Sequence, residues 1–414
     1  MGLILLKTIL DMKPIGFKLL VSFFCALKIS IFSVNAQDLN NETLEIRFQP
    51  DSILYVYENI GPEMPKQIYT AVLQNMAFVS KFKQPIILNQ VKIEAIKDNN
   101  LTLTQYVTHH EIKESAVKFS MYQKQGVLDL YDFQFQTSRY LKDTNLASSD
   151  TLKSGEGLII MHETFLFDHV PDALRVSITG RTLNGKQVSS SKLMKVGNYK
   201  SKNSYILPLK GSWLTAAGPS LIGHHRWGSI QEFAFDFIKL GKGQLSYKNN
   251  GENLNDYYAY AQSVYTIGDG IVVSVLDGII ESSDNLKKLS ETETEYMKRI
   301  RPYQEELMRK GFQYVSGNHV IVRHANNEYS SYFHLKNGSV TVKEGAVVKQ
   351  GQLIGQIGHS GNSTEPHLHF HVSNGEDMAY SRSLPVEFEN IILFPADNGK
   401  TRHLHSGQFI KTKK

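Results

Sequence analysis

The feature that most constrains the fold is the run of residues 366–371, which reads PHLHFH. Alternate side chains of a strand project from the same face. The three histidines would therefore share one face, while Leu368 and Phe370 would pack behind them. Three imidazoles on one strand face indicate a metal site or a proton-transfer site. The alternative is a polar strand face whose histidines are satisfied by hydrogen bonds.

The N-terminus has the features of a secretory leader. Lys13 and Lys18 precede an apolar run at residues 19–27, and residues 34–36 (VNA) have the small-x-small pattern of a signal-peptidase site. A retained membrane anchor is the alternative, but the run is short and a lysine interrupts it. We therefore expect residues 1–36 to be a cleaved signal peptide. The protein would be exported to the periplasm or cell envelope, or out of the cell.

Cysteine content and charge limit the chemistry of the mature chain. Cys25 is the only cysteine and lies in the leader, so we expect no disulfide, and any transition-metal site must use nitrogen and oxygen ligands. The formal net charge is +5, and the leader contributes most of it with four lysines against one aspartate. The remaining charge is too small to predict nucleic-acid binding. No other segment is long and apolar enough to predict a membrane span.

The first half of the mature chain is predicted to be rich in β-strands. Strands are predicted at residues 44–48, 91–95, 101–104, 157–167 and 174–178. Turn residues separate them, including Asn184-Gly185, and no helical periodicity is evident. Residues 37–200 are therefore predicted to form a β-sandwich accessory domain with an immunoglobulin-like arrangement.

A second domain, residues 201–414, is also predicted to be mainly β. A connector with proline and glycine breakers occupies residues 199–223. Strands are then predicted at residues 232–238, 270–276, 319–322, 329–333, 339–342 and 353–357. Between them, at about residues 281–316, apolar residues recur at helical spacing among many charges, with Pro302 as a break or kink. This insertion would form one or two surface helices, either a lid or partner-binding element or a solvated packing helix.

An aspartate in an aromatic strand supplies the second part of a site. Phe233, Phe235 and Phe237 are predicted to share a buried face, with Asp236 opposite. A carboxylate in such a strand is costly unless it binds a cation or is otherwise paired. Two consecutive histidines lie just upstream. Two imidazoles and one carboxylate suit tetrahedral zinc with one position left for water.

A hydrolytic zinc site also needs groups that accept a proton, stabilise an oxyanion and protonate the leaving nitrogen. His334 lies at the end of a predicted strand, in the sequence YFHL. His334 and His367 are the candidates for these roles, which leaves His369 as a metal ligand.

Together these motifs resemble the lysostaphin/LytM-type zinc metallopeptidases, which have the duplicated hybrid motif fold and cut peptide cross-links in bacterial cell walls. The resemblance covers roughly residues 210–395 and includes residues 257–260, 268–272, 317–321 and 383–386. It implies an antiparallel β-sheet peptidase domain. In this family the second histidine of the late His-x-His binds zinc, which corresponds to His369.

The chain departs from the commonest family pattern, in which only three residues separate the first histidine from the aspartate. Here residues 226–235 intervene. Some members resemble this longer version and carry Gln-Arg-Tyr-Ala-x-Asp in the strand, with Glu232 here in place of the arginine. That alignment favours His225 over His224 as the ligand.

The resemblance therefore implies Zn²⁺ held by His225, Asp236 and His369. His367 would act as base and His334 in the transition state, although the sequence leaves open which histidine does which. The implied function is an exported zinc endopeptidase acting on peptidoglycan stem peptides or cross-links. Two alternatives remain: a non-catalytic relative that binds the wall or regulates an amidase, and a peptidase of other extracellular peptides.

Overall fold

The computed structural model describes residues 42–59, 67–142, 144–219, 224–394 and 403–413. The predicted signal peptide, residues 1–36, lies outside the described residues. Within these ranges the chain is mainly β, as predicted. None of the helices there combines the length and apolar character that a membrane crossing would require.

The N-terminal half contains two sheets. The first consists of β1 (Leu44–Gln49), β3 (Tyr57–Asn59), β4 (Ile68–Ser80) and β8 (Gly157–Phe167). The second consists of β2 (Ile53–Tyr55), β5 (Ile86–Lys97), β6 (Asn100–Val107), β7 (Thr151–Leu152), β9 (Ala173–Thr182) and β10 (Gln187–Gly197). Both contribute to one apolar core, which includes Phe78 and Ile93. The five strands predicted here are confirmed, whereas the immunoglobulin-like arrangement stays a prediction.

Four helices follow β6 and correct the expectation of strands alone. They are α1 (His109–Lys124), α2 (Val127–Leu130), α3 (Asp132–Phe135) and α4 (Thr137–Tyr140). α1 begins with a capping box in which the Thr108 hydroxyl accepts from the Glu111 amide and the Glu111 carboxylate accepts from the Thr108 amide. Phe119 and Phe135 pack with Ile159 of β8 in a second apolar cluster. The buried face of α1 is narrow and gives only a weak helical period in the sequence; it consists of Ile112, Ala116, Phe119, Ser120 and Tyr122.

The C-terminal half is built on one large antiparallel sheet. Its strands are β11 (Ser212–Ala217), β12 (Phe235–Ile238), β14 (Gly270–Leu276), β15 (Asn318–Arg323), β16 (Tyr329–Leu335), β17 (Val347–Val348), β19 (Leu368–Ser373), β20 (Ser383–Leu384), β21 (Ile391–Phe394) and β22 (Phe409–Thr412). Their order is β17-β14-β15-β16-β19-β12-β11-β22-β21, with β20 beside β19. A separate pair consists of β13 (Ser263–Tyr265) and β18 (Leu353–Gln356). Phe235, Leu368 and Phe370 lie in the core behind the sheet.

Three details of the second half differ from the predictions. Residues 339–342 form no strand and follow a turn at Gly338, whose φ is +70°. The predicted connector at residues 199–223 contains β11. β12 begins only at Phe235, so Phe233 does not share its face; the ring of Phe233 instead stacks 5.8 Å from that of Tyr57.

The predicted helical insertion is present between β14 and β15, as α5 (Glu293–Lys310) and α6 (Phe312–Val315). A capping box of Thr292 and Glu295 starts α5. The helix buries Tyr296, Met297 and Ile300 and continues through Pro302. The helix therefore does not break at Pro302, because burial of this face outweighs the cost of one proline in the helix. The alternative, a kink at Pro302, stays a prediction.

Candidate metal centre and active site

The pairing of three neighbouring strands places the central side chains. In the register of β12, β19 and β16, Asp236 lies opposite His369, and His369 lies opposite Phe333 on its other side. Directly opposed residues of antiparallel strands project from the same face. Asp236 and His369 therefore meet on the face opposite the aromatic core.

His225 reaches these two residues from outside the sheet. It lies in a 3₁₀ turn, His224–Trp227, and its Nε2 is 3.0 Å from Oδ2 of Asp236. The other oxygen, Oδ1, is 3.0 Å from Nδ1 of His369. One nitrogen or oxygen from each residue lies within 4.8 Å of those of the other two. The structure thus brings together the three ligands predicted from sequence.

The donor set fits a zinc ion. Two imidazole nitrogens and one carboxylate oxygen are the ligands that zinc takes in open, catalytic sites. His225 and His369 are buried, and the side chain of Asp236 is 15% exposed, so one side remains accessible. Burial opposes ionisation of Asp236, but the neighbouring His225 and His367 rings outweigh it and hold the pKa of this carboxyl well below its usual value. Asp236 is therefore ionised, as a ligand must be.

Two side chains orient the ring of His369. Its Nε2 is 3.2 Å from Nδ1 of His371, the third histidine of the strand. On the other side the ring of Phe333 stacks on it, with centroids 5.4 Å apart and planes inclined by 9°. Burial holds the pKa of His371 well below its usual value, so this ring is neutral. A hydrogen bond to the remote nitrogen is the usual means of orienting a histidine ligand.

His334 follows Phe333 directly, yet both side chains lie beside His369. The pairing of β15 with β16 shifts by one residue here, and His334 has a φ of +60°. A bulge of this kind rotates one residue, so that two consecutive side chains project from the same face of the sheet. Nδ1 of His334 is 2.8 Å from the carbonyl oxygen of Ser360, which leaves Nε2 for the site. Burial and the nearby rings of His367 and His369 hold the pKa of His334 well below its usual value.

His367 lies on the accessible side of the cluster. Its ring centroid is 4.8 Å from that of His334, and its Nε2 is 3.6 Å from Oδ1 of Asp236. Nδ1 is 2.7 Å from the carbonyl oxygen of Glu365, so it donates there and Nε2 faces the carboxylate.

A short hydrogen-bonded chain behind His367 was not predicted in detail. Nδ1 of His359 is 2.9 Å from Oγ of Ser363, and that hydroxyl donates to the Glu365 carbonyl oxygen at 2.8 Å. The same carbonyl accepts from His367, so the chain fixes the acceptor that orients this ring. The turn-rich composition of residues 358–364 was the only sequence feature that pointed to this hydrogen-bonded chain.

Two other histidines lie away from the cluster. His324 is bonded through Nδ1 to the Asp269 carbonyl and through Nε2 to Ser330. His319 contacts the Gly317 carbonyl oxygen at 2.8 Å. Both are buried and hydrogen-bonded within their own loops and strands, which is a structural role.

Comparison with known proteins is consistent with this geometry. Residues 304–380 match the Peptidase family M23, a segment that includes His334, His367 and His369 but begins after His225 and Asp236. The match confirms the family resemblance indicated by the motifs.

Two similar curated proteins come from Vibrio cholerae serotype O1. The peptidoglycan DD-endopeptidase ShyC is 42% identical over 62 residues, which are 15% of this chain and 14% of ShyC. The peptidoglycan DD-endopeptidase ShyA is 33% identical over 107 residues, which are 26% of this chain and 16% of ShyA. The matched segments thus span about a sixth of each relative.

Among solved structures, a zinc-containing peptidase from Vibrio cholerae matches 81% of this chain and 86% of its own, at 14% identity and a TM-score of 0.22. The catalytic domain of lysostaphin from Staphylococcus simulans matches 42% of this chain and 88% of its own, at 19% identity and a TM-score of 0.23.

Proposed function

From the match of residues 304–380 to Peptidase family M23, we propose that the protein is an exported, zinc-dependent endopeptidase. It would hydrolyse peptide bonds in peptidoglycan. The observation that carries the proposal is the convergence of His225, Asp236 and His369 within 4.8 Å. His334 and His367 lie beside them with ring centroids 4.8 Å apart. A non-catalytic relative would have no need of all five side chains.

His225, Asp236 and His369 would hold the metal. A zinc ion bound there would supply Lewis acidity toward a peptide carbonyl and toward water. The chain contributes the shape of the site: Asp236 and His369 are positioned by the sheet, and the hydrogen bond between His369 and His371 sets the ring orientation.

His367 is assigned as the proton acceptor. Its Nδ1 donates to the Glu365 carbonyl, so Nε2 is the nitrogen that would accept a proton in the site. Oδ1 of Asp236, 3.6 Å from that nitrogen, would stabilise the imidazolium formed when Nε2 takes a proton. Removal of a proton from water by a positioned imidazole is general base catalysis.

His334 is assigned to the transition state. Its ring faces that of His367 across the site and is held by the hydrogen bond from Nδ1 to Ser360. From there Nε2, bare in the neutral ring, would accept a hydrogen bond from the scissile N–H in the tetrahedral transition state. The proton that His367 takes from water would pass to the amine nitrogen as the C–N bond breaks, so that both histidines assist departure of the amine. The bulge at this position holds the ring in place before substrate binds.

The substrate and the location are part of the same proposal. The relatives that match the chain are named as peptidoglycan DD-endopeptidases, and the predicted leader would deliver the protein to the cell envelope. Stem peptides or cross-links of the wall are therefore the proposed substrate.

Metal removal tests the proposal. Protein lacking the predicted leader should be purified with close to one zinc, lose hydrolysis of cell-wall fragments on dialysis against a chelator, and regain it with added zinc. Full hydrolysis by metal-free protein would refute the assignment. Zinc at one equivalent with no hydrolysis of any peptide would favour the non-catalytic alternative.

A further inference from the structure

Ten residues separate His225 from Asp236, and the turn with which they begin lies against β4 of the N-terminal half. Of the three proposed ligands, Asp236 and His369 are held in neighbouring strands by ladder hydrogen bonds. His225 lies instead in a four-residue 3₁₀ turn, which has little stability of its own. The position of this ligand therefore depends on what the turn packs against.

The residue after His225 is anchored in the N-terminal half. Arg226 is completely buried. Its Nη1 donates to Oγ1 of Thr70 at 3.0 Å and its Nη2 to the Thr70 carbonyl oxygen at 3.3 Å, both in β4. Nη2 also lies 3.5 Å from Oε1 of Glu232, further along the same loop. The guanidinium thus connects two positions of the loop to one residue of the N-terminal sheet.

Other residues of the turn also contact the N-terminal sheets. The side chain of Gln74, also in β4, donates to the Arg226 carbonyl oxygen at 3.4 Å. The ring of His162 in β8 stacks on Trp227 at 5.4 Å, and its Nε2 is 3.3 Å from the Trp227 carbonyl oxygen. The Gln49 amide donates to Oγ of Ser229 at 3.1 Å. These partners all come from β1, β4 and β8.

A buried guanidinium is costly unless its partners are in place, and losing one partner leaves a charge without compensation. The bonds from Arg226 to Thr70 therefore exist only while the turn is docked on β4. Because His225 is the adjacent residue, docking of the turn and placement of the ligand are the same event.

We propose that the N-terminal sheets position the zinc ligand His225, through the hydrogen bonds of Arg226 to Thr70. The proposal rests on the zinc site of the proposed function and gives the N-terminal half a role in assembling that site. Arg226 and Thr70 are positioning residues, since neither reaches the metal cluster. The long loop between the two ligands, the departure of this chain from the commonest family pattern, is the segment that makes the connection.

The test is the zinc affinity of the full chain, measured by competition with a chromophoric chelator. Thr70→Val removes the Oγ1 acceptor at nearly constant volume. Because Thr70 acts on His225 only through Arg226, zinc binding is expected to weaken by about tenfold, the lower end of the effect of losing a residue that supports a metal ligand. Thr70→Ser keeps the hydroxyl and is expected to bind as the wild type does. Gln74→Leu, which removes the bond to the Arg226 carbonyl, provides a second variant and should shift affinity in the same direction.

Tyr380→Phe is the matched control. Its hydroxyl donates to Asp132 at 2.8 Å, a contact between the two halves that does not involve the ligand loop, so its zinc affinity should equal that of the wild type. The inference is overturned if folded Thr70→Val and Gln74→Leu bind zinc as tightly as the wild type. It is also overturned if Tyr380→Phe loses as much affinity as they do. A wild-type protein that binds no zinc overturns the proposed function and this inference together.

Discussion

Oδ1 of Asp236 lies 3.0 Å from Nδ1 of His369, because the two residues are directly opposed in neighbouring antiparallel strands. This relationship depends on the register of β12 and β19, not on a flexible loop. The pair is therefore positioned by the backbone of the central sheet.

Replacing either member of this pair should remove the metal. Asp236→Ala and His369→Ala are each expected to lose most of the bound zinc, since two remaining ligands do not form a stable site. Zinc content of the purified proteins measures the effect. His110→Ala, at a histidine whose side chain is 79% exposed, is the control and should keep close to one zinc. Stoichiometric zinc in both site variants would contradict the ligand assignment.

His367→Ala should separate metal binding from hydrolysis. Zinc content is expected to stay near one, while turnover of cell-wall fragments falls by at least about a hundredfold, the usual contribution of a general base. Unchanged turnover in a variant that holds zinc would remove His367 from the mechanism. The exposed His110→Ala variant again serves for comparison.

His371→Ala tests whether the hydrogen bond with His371 orients the ring of the ligand His369. Loss of the hydrogen-bond partner at Nε2 of His369 is expected to weaken zinc affinity roughly 10- to 100-fold. Chelator competition gives the value. An affinity equal to that of the wild type would mean that stacking on Phe333 alone orients the ring.

Stability should depend on pH through Glu163 in β8. Burial, together with repulsion from Glu111, raises the pKa of this partly buried carboxyl from 4.5 to about 7. Between these two values the folded state holds a proton that the unfolded chain releases, so the free energy of unfolding falls as pH rises through this window. Because glutamine does not ionise, the free energy of unfolding of Glu163→Gln should fall by up to about 3 kcal/mol less than that of the wild type over this window.

Urea denaturation at pH 4.5 and pH 8 measures the effect of Glu163→Gln. The difference in unfolding free energy between the two pH values should be smaller in the variant than in the wild type. Equal differences in the two proteins would show that Glu163 ionises at its ordinary pKa in the folded state.

The sequence predicted the candidate site better than it predicted the surrounding fold. Alternation of polar and apolar residues is a local property, so the strand bearing His369 and His371 and the one bearing Asp236 could be recognised directly. His367 lies one residue before the first of these strands. The family resemblance then linked them to His225 and His334, and the structure brings all five side chains together. Their roles remain predictions.

What could not be predicted depends on contacts distant in sequence. The bulge at His334 arises from pairing with β15, which no local pattern of residues 332–335 indicates. Phe233 looked like part of an alternating strand, but Tyr57 and Arg226 hold it in the turn before β12. α1 is a different case, since the capping box of Thr108 and Glu111 is a local pattern that is present in the sequence.

The central claim is that this site hydrolyses peptide bonds of peptidoglycan, and mass spectrometry of the released muropeptides tests it most directly. Purified wall digested with the zinc-loaded protein should release fragments that differ by cleavage of an amide bond in a stem peptide or cross-link, with intact glycan linkages. The same digestion with His367→Ala should release almost none. Products cleaved only in the glycan strands, or peptide products that persist in the His367→Ala and Asp236→Ala variants, would contradict the account.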